Sequence, residues 1–192
     1  MSRQKGTARA PRENISADAP DWSREAKSAW SWHPSRSLLA SLRAYERVRL
    51  GSGPHHALGR AVAMLRHRFW SIVTGAEIPL NCRIEGGLLL PHPNGIVIHP
   101  DARIGPNCLL MQQVTLGTGG ALAGAPVLVG RVDIGAGAKV LGGATLGAHS
   151  IVGANAVVLQ DVPAGATAVG VPARIVQAPP ATSSKENLEA DV

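Results

Sequence analysis

Chemistry near neutral pH calls for a group that changes protonation there, or for an activated nucleophile, and this sequence supplies few of either. It holds seven histidines and two cysteines. Cys82 and Cys108 are widely separated and form no CxxC pair, so they read as small apolar residues rather than redox or metal-binding thiols. His92, His99 and His149 are single histidines without a close second histidine, and no metal site is expected from them. His92 stands in Leu90-Pro91-His92-Pro93-Asn94-Gly95, a turn-forming run. A neutral imidazole there can take the proton of a hydroxyl nucleophile, although one histidine in a turn is equally well a corner or surface residue.

The elements that must position such groups fall into two parts. With 192 residues the chain is long enough for one domain with a real core. Aromatic residues make up only 3% of it while hydrophobic residues reach 45%, so that core must be aliphatic. Residues 1–75 carry 13 Lys/Arg against 5 Asp/Glu, and residues 76–192 carry 6 against 8. The arginines of the basic part (Arg43, Arg47, Arg49, Arg60, Arg66, Arg68) are spread over helix-like sequence without Gly-aromatic interleaving. A solvated helix face, or general attraction for an anionic ligand, fits them better than a nucleic-acid interface. No apolar run is long enough to span a bilayer, and with two unpaired cysteines the expected setting is cytoplasmic.

Residues 1–20 and 177–192 are polar and Pro-containing, and are expected to be disordered tails. Residues 21–75 form the expected helical segment. Within it Leu38, Leu39, Leu42, Tyr45 and Val48, then Leu58, Val62, Leu65, Phe69 and Val73, recur at three- and four-residue steps on either side of Gly51–Pro54. From Ile78 the step becomes six: Ile78, Ile84 and Leu90, then, after an offset of two, Ile98, Ile104, Leu110, Leu116, Leu128, Ile134, Val140, Leu146, Val152 and Val158. Four residues after most of these comes a small or modest side chain, among them Cys82, Ala102, Cys108, Ala138, Ala144, Ser150 and Ala156. Glycine often fills the second position, as at Gly105, Gly135, Gly147 and Gly153.

A fixed period of six predicts a parallel β-helix in which three short strands close one triangular coil, and residues eighteen apart stack about 4.8 Å above one another. Such a narrow prism accepts aliphatic side chains and excludes rings. The stretch 117–127, GTGGALAGAPV, is expected to stand off as a loop. Ala136 and Ala154, eighteen apart, are expected on one edge, where their small side chains leave a groove open to backbone groups. Glu77 precedes His92 by close to one coil, so the two can face each other across adjacent rungs.

The runs PHPNGIVIHPDARIG, QQVTLGTGG and DIGAGAKVLGGATLGAHSIVGANAVVLQDVPAGATAVGVPARIV resemble the serine acetyltransferase branch of the hexapeptide-repeat acyltransferases over about residues 75–176. The resemblance implies a left-handed parallel β-helix at 76–176 behind an N-terminal α-helical segment. It also implies homotrimers, single or as a dimer of trimers, and transfer of acetyl from acetyl-CoA to a hydroxyl. By resemblance His92 is the general base and Glu77 the carboxylate that orients it. Acetyl-CoA would meet Thr118, Gly119, Ala136 and Ala154, with Lys139 and Arg174 toward its phosphates. Two positions depart from the family pattern: Pro91 replaces an aspartate before the histidine, and Ala125 replaces a second histidine in the loop. Both changes remove groups suited to a small zwitterion. Three functions therefore stand: a serine O-acetyltransferase of cysteine biosynthesis, an O-acetyltransferase acting on a sugar or exopolysaccharide hydroxyl, and a solenoid scaffold without catalysis.

Overall fold

The computed structural model describes residues 15–28 and 31–176. Two helices come first, α1 (Pro34–Val48) and α2 (Pro54–Thr74), each opened by a proline in its first turn. Proline is favoured there because the first helical N–H has no intrahelical partner to lose. α2 ends at Gly75, whose left-handed conformation (φ 64) closes the helix, and its N–H donates to the Ser71 carbonyl.

The rest of the chain is a stack of short strands on three faces. The first face carries Val97–Ile98, Thr115–Gly117, Lys139–Leu141 and Val157–Val158, with Glu77 bridged to Val97 below them. The second carries Arg83–Ile84, Arg103–Ile104, Val127–Leu128 and Thr145–Leu146. The third carries Leu109–Leu110, Asp133–Ile134, Ile151–Val152 and Thr167–Val169, onto which Arg174–Val176 folds back antiparallel. Every other pairing between these strands is parallel, as the six-residue period requires. This is the left-handed parallel β-helix expected from the sequence.

Each aliphatic residue of the six-step series is buried in the prism, and so are the small residues that follow four places later. Burial pushes the thiols of Cys82 and Cys108 up, to about 11 and about 12, which accords with packing rather than thiol chemistry. The second-position glycines are required for a reason other than turn conformation. A Cβ on Gly105 would lie 1.7 Å from the Val129 carbonyl oxygen, and one on Gly135 would lie 2.6 Å from the Ala154 nitrogen. The left-handed positions lie two residues further on, in a column of Gly87, Asn107, Arg131, His149 and Gly165 along one edge and of Gly95, Gln113, Gly137 and Asn155 along another.

The N-terminal chain is tied to the solenoid by few, well-satisfied groups. Asn107, fully buried, accepts from the Asp21 N–H and donates to the carbonyls of Ser16 and Ala19. Residues 15–20, expected within a tail, thus lie against this corner; the remainder of that tail and the one at 177–192 fall outside the described residues. Arg43 on α1 pairs with Glu25 at 2.9 Å and donates to the carbonyls of Ile84 and Glu85, while Glu25 also accepts from the Leu88 N–H.

α2 sits with Ala63, His67 and Thr74 inward, and its apolar stripe of Leu58, Val62, Leu65, Phe69 and Ile72 is exposed. His67 Nε2 donates to the Ile78 carbonyl at 2.8 Å, and its Nδ1 is 3.2 Å from the Ser41 hydroxyl. Burial lowers the His67 pKa below its ordinary 6.5, partly offset by the bond to Ile78. The unfolded chain therefore binds the extra proton first. Stability is full above pH 6.5 and is lost as pH falls through the lowered folded value. Denaturant midpoints should drop on acidification below that pH, and His67→Gln, which keeps a donor for Ile78, should remove this part of the slope.

Candidate functional site

Two interruptions break the six-residue period, and each sits on a different edge of the prism. The first is the corner between the third and first faces, where Pro91-His92-Pro93-Asn94-Gly95 lengthens the first coil by two residues. Gly95 adopts φ 69, and its N–H donates to the Gly75 carbonyl at the end of α2. The extended corner is therefore pinned against the helical segment. A cleft of about 430 Å³ forms there, lined by His33, Pro34 and Ser35 from the start of α1, Val73 and Thr74 from the end of α2, and Pro91 to Asn94. His92 is exposed in it.

The second interruption lies between the first and second faces. Arg103 pairs with Val127 rather than with a residue six places earlier, so one whole repeat has been added at this corner. Residues 118–126 leave the coil between the strands Thr115–Gly117 and Val127–Leu128, one residue inside each expected loop boundary. The coil above supports them: the Gly142 N–H donates to Gly117 and the Gly143 N–H to Leu122.

His92, Ala136 and Ala154 share the first of these edges, as expected for the alanines from their spacing. The Asn155 N–H donates to the Ala136 carbonyl, and the Gly137 N–H donates to Gln112 on the coil below. Ala154 is exposed and Ala136 half-buried, which leaves the backbone of this edge open to a ligand. Lys139 begins the adjoining strand. Its ammonium already donates to the carbonyls of Gln113 (2.6 Å) and Gly137 (3.2 Å), so one of its three donors is left. Thr118 and Gly119 are exposed at the foot of the loop, on the other edge. Arg174, also exposed, is in the antiparallel return at the far end of the stack.

Glu77 is exposed on the first face of the first coil, directly below Val97. It makes no ion pair among the described residues, and no hydrogen bond joins it to His92 within the chain. His99 faces Asp101 at 3.8 Å, and His149 is a corner residue at φ 60. Among the described residues no three histidine, cysteine or acidic side chains converge as a metal site would require.

Sequence reasoning missed His33, Ser35, Thr74 and Asn94. His33 stands at the N-cap of α1 but makes no capping bond with its side chain. The one available signal was its place before Pro34 at a helix start, which fixes the backbone and says nothing of the cleft. A larger cavity, about 540 Å³ beside Trp22, Ala40 and Arg47, is a poorer candidate because its inner charges, Glu25 and Arg43, already satisfy each other.

No family model matches the chain. It is 43% identical over 107 residues to the serine acetyltransferase of Synechococcus elongatus, across 55% of this chain and 44% of that protein. Among solved structures it is similar to soybean serine acetyltransferase complexed with serine (34% identity, TM-score 0.59, 74% of this chain and 56% of that one). It is also similar to a serine acetyltransferase in complex with CoA (32%, TM-score 0.63, 76% and 58%). The resemblance read from the hexapeptide run is thus borne out, over a chain that spans about half the length of these relatives.

The loop provides a test of the architecture. A Cβ on Gly142, at φ 71, would lie 2.3 Å from the Leu122 carbonyl oxygen and 2.5 Å from that of Gly119. Gly142→Ala should displace the loop and cost about 1–3 kcal/mol. The check is denaturant unfolding together with limited proteolysis, with cleavage rising within 118–126 and the β-sheet spectrum unchanged.

Proposed function

We propose that this chain is an acetyl-CoA-dependent O-acetyltransferase, with serine as the leading acceptor. The observation that carries the reading is the lengthened corner that presents His92 in a cleft, on the same edge as the small residues Ala136 and Ala154. The similarity to serine acetyltransferases, one holding CoA and one holding serine, supports it.

In this mechanism acetyl-CoA lies along the open edge, its pantetheine arm over Ala136 and Ala154 and its phosphates toward Lys139 and Arg174. Thr118 and Gly119 contact it from a loop. The neutral imidazole of His92 takes the acceptor proton as the hydroxyl oxygen attacks the thioester carbonyl. Backbone N–H donors stabilise the oxyanion, the C–S bond breaks, and the proton passes to the departing CoA sulfur as its thiol. Glu77, unpaired among the described residues and on the same first coil, orients the ring by closing onto it in the loaded site.

The same geometry supports a homotrimer. His92 and the loop carrying Thr118 and Gly119 project from different edges of one prism, so a single chain does not enclose both. Three copies around an axis would bring the histidine edge of one against the loop edge of the next, and a ring of such contacts would close.

One observation favours a second reading. The cleft around His92 is lined by no carboxylate, lysine or arginine to answer the ammonium and carboxylate of serine. A neutral sugar hydroxyl, in a glycan or exopolysaccharide, suits that lining. The deciding assay is thiol release from acetyl-CoA with L-serine or a panel of sugars and nucleotide sugars. Serine-dependent release is expected, with kcat reduced about a hundred- to ten-thousandfold in His92→Ala and by less in Glu77→Gln. Release only with sugars would establish the second reading, and silence with every acceptor would leave a scaffold.

A further inference from the structure

We propose that α2 docks the protein on an anionic membrane surface, lying flat in the interface with its outer face toward the lipid. This rests on the helix itself and does not depend on the acetyl-transfer reading.

Viewed down α2, the inward face is Ala63, His67 and Thr74, with Trp70 packed on the core. The opposite face is a continuous apolar stripe: Leu58, Val62, Leu65, Phe69 and Ile72. Leu65 is 70% and Ile72 75% exposed, far beyond the scattered apolar residues of an ordinary surface. Helical periodicity sets Arg68 on one flank of this stripe and Arg66 on the other. Both arginines are exposed, and neither forms an ion pair among the described residues. α2 has no acidic residue at all. Trp32, 71% exposed, packs against Trp70 at 5.5 Å and adds an indole at the C-terminal end of the helix. A stripe of Leu, Phe and Ile flanked by snorkelling arginines, with tryptophan beside it, is the composition of a helix that lies in a lipid interface.

Charge selects the occupant. A second copy would bring an identical stripe, but with it Arg66 and Arg68 of both copies and no acid on either helix to answer them. An anionic bilayer supplies both the apolar depth and the negative charge, and the excess of basic residues over 1–75 acts in the same direction.

The test is co-sedimentation of the full-length protein with vesicles of phosphatidylcholine alone or mixed equally with phosphatidylglycerol, with light scattering to fix the subunit number. Binding to the mixed vesicles alone is expected, with a blue shift in tryptophan emission. Leu65→Glu with Ile72→Glu should abolish it, and Arg66→Gln with Arg68→Gln should weaken it roughly thirtyfold. All four positions are exposed, so circular dichroism should be unchanged. The proposal is overturned if mixed vesicles do not sediment the protein, or if the variants sediment as the parent does. It is equally overturned if Leu65→Glu with Ile72→Glu lowers the subunit number, since a second copy would then be the occupant.

Discussion

A backbone that returns directly above itself after every circuit leaves no room between its turns, and that constraint governs most residue choices from Ile78 onward. It admits glycine at 105, 135, 147 and 153, where any Cβ would collide with the coil above. It requires left-handed backbone at matching places along two edges, supplied by glycine, asparagine and a few strained residues. It also narrows the interior to one aliphatic and one small side chain per face, so the core consists of leucine, isoleucine, valine and alanine with Cys82 and Cys108. Each coil is the template for the next, through inter-coil hydrogen bonds of about 2.7–3.1 Å.

Within so regular a stack, function can enter only where regularity stops. The corner at 91–95 is two residues too long and turns outward against the end of α2, with the Gly75 carbonyl holding the Gly95 N–H. The loop at 118–126 is longer by one repeat, so later coils stay in phase. The helical segment adds the remaining wall of the His92 cleft, and it is fastened by the buried Asn107, by Arg43 with Glu25, and by His67 on the Ile78 carbonyl.

The solenoid was legible because its signal is covalent in spacing: a side chain that must point inward recurs every six positions whatever the surroundings. The edge shared by Ala136 and Ala154 could be read for the same reason. His33, Ser35 and Thr74 could not, because their place beside His92 depends on how two helices pack on the first coil, and no periodicity records that. The stripe on α2 shows the limit from the other side. Leu58, Val62, Leu65 and Phe69 recur as a core-facing series would, yet the helix turns Ala63 and His67 inward. Period alone reports that a face is apolar and is silent on what covers it.

The loop's attachment carries a consequence for how such a protein can change. Its feet are fixed by strand pairing to the coil above, and its middle by the Gly143 amide of that coil, which donates to the Leu122 carbonyl. Lengthening a surface segment whose ends are already clamped costs little entropy, about 0.6 kcal/mol for a doubling. Beyond Thr118 and Gly119 at its foot, residues 120–126 are therefore an exchangeable cassette. They can drift in length and chemistry while the aliphatic stack beneath retains its phase, which separates the evolution of this rim from the stability of the prism that carries it.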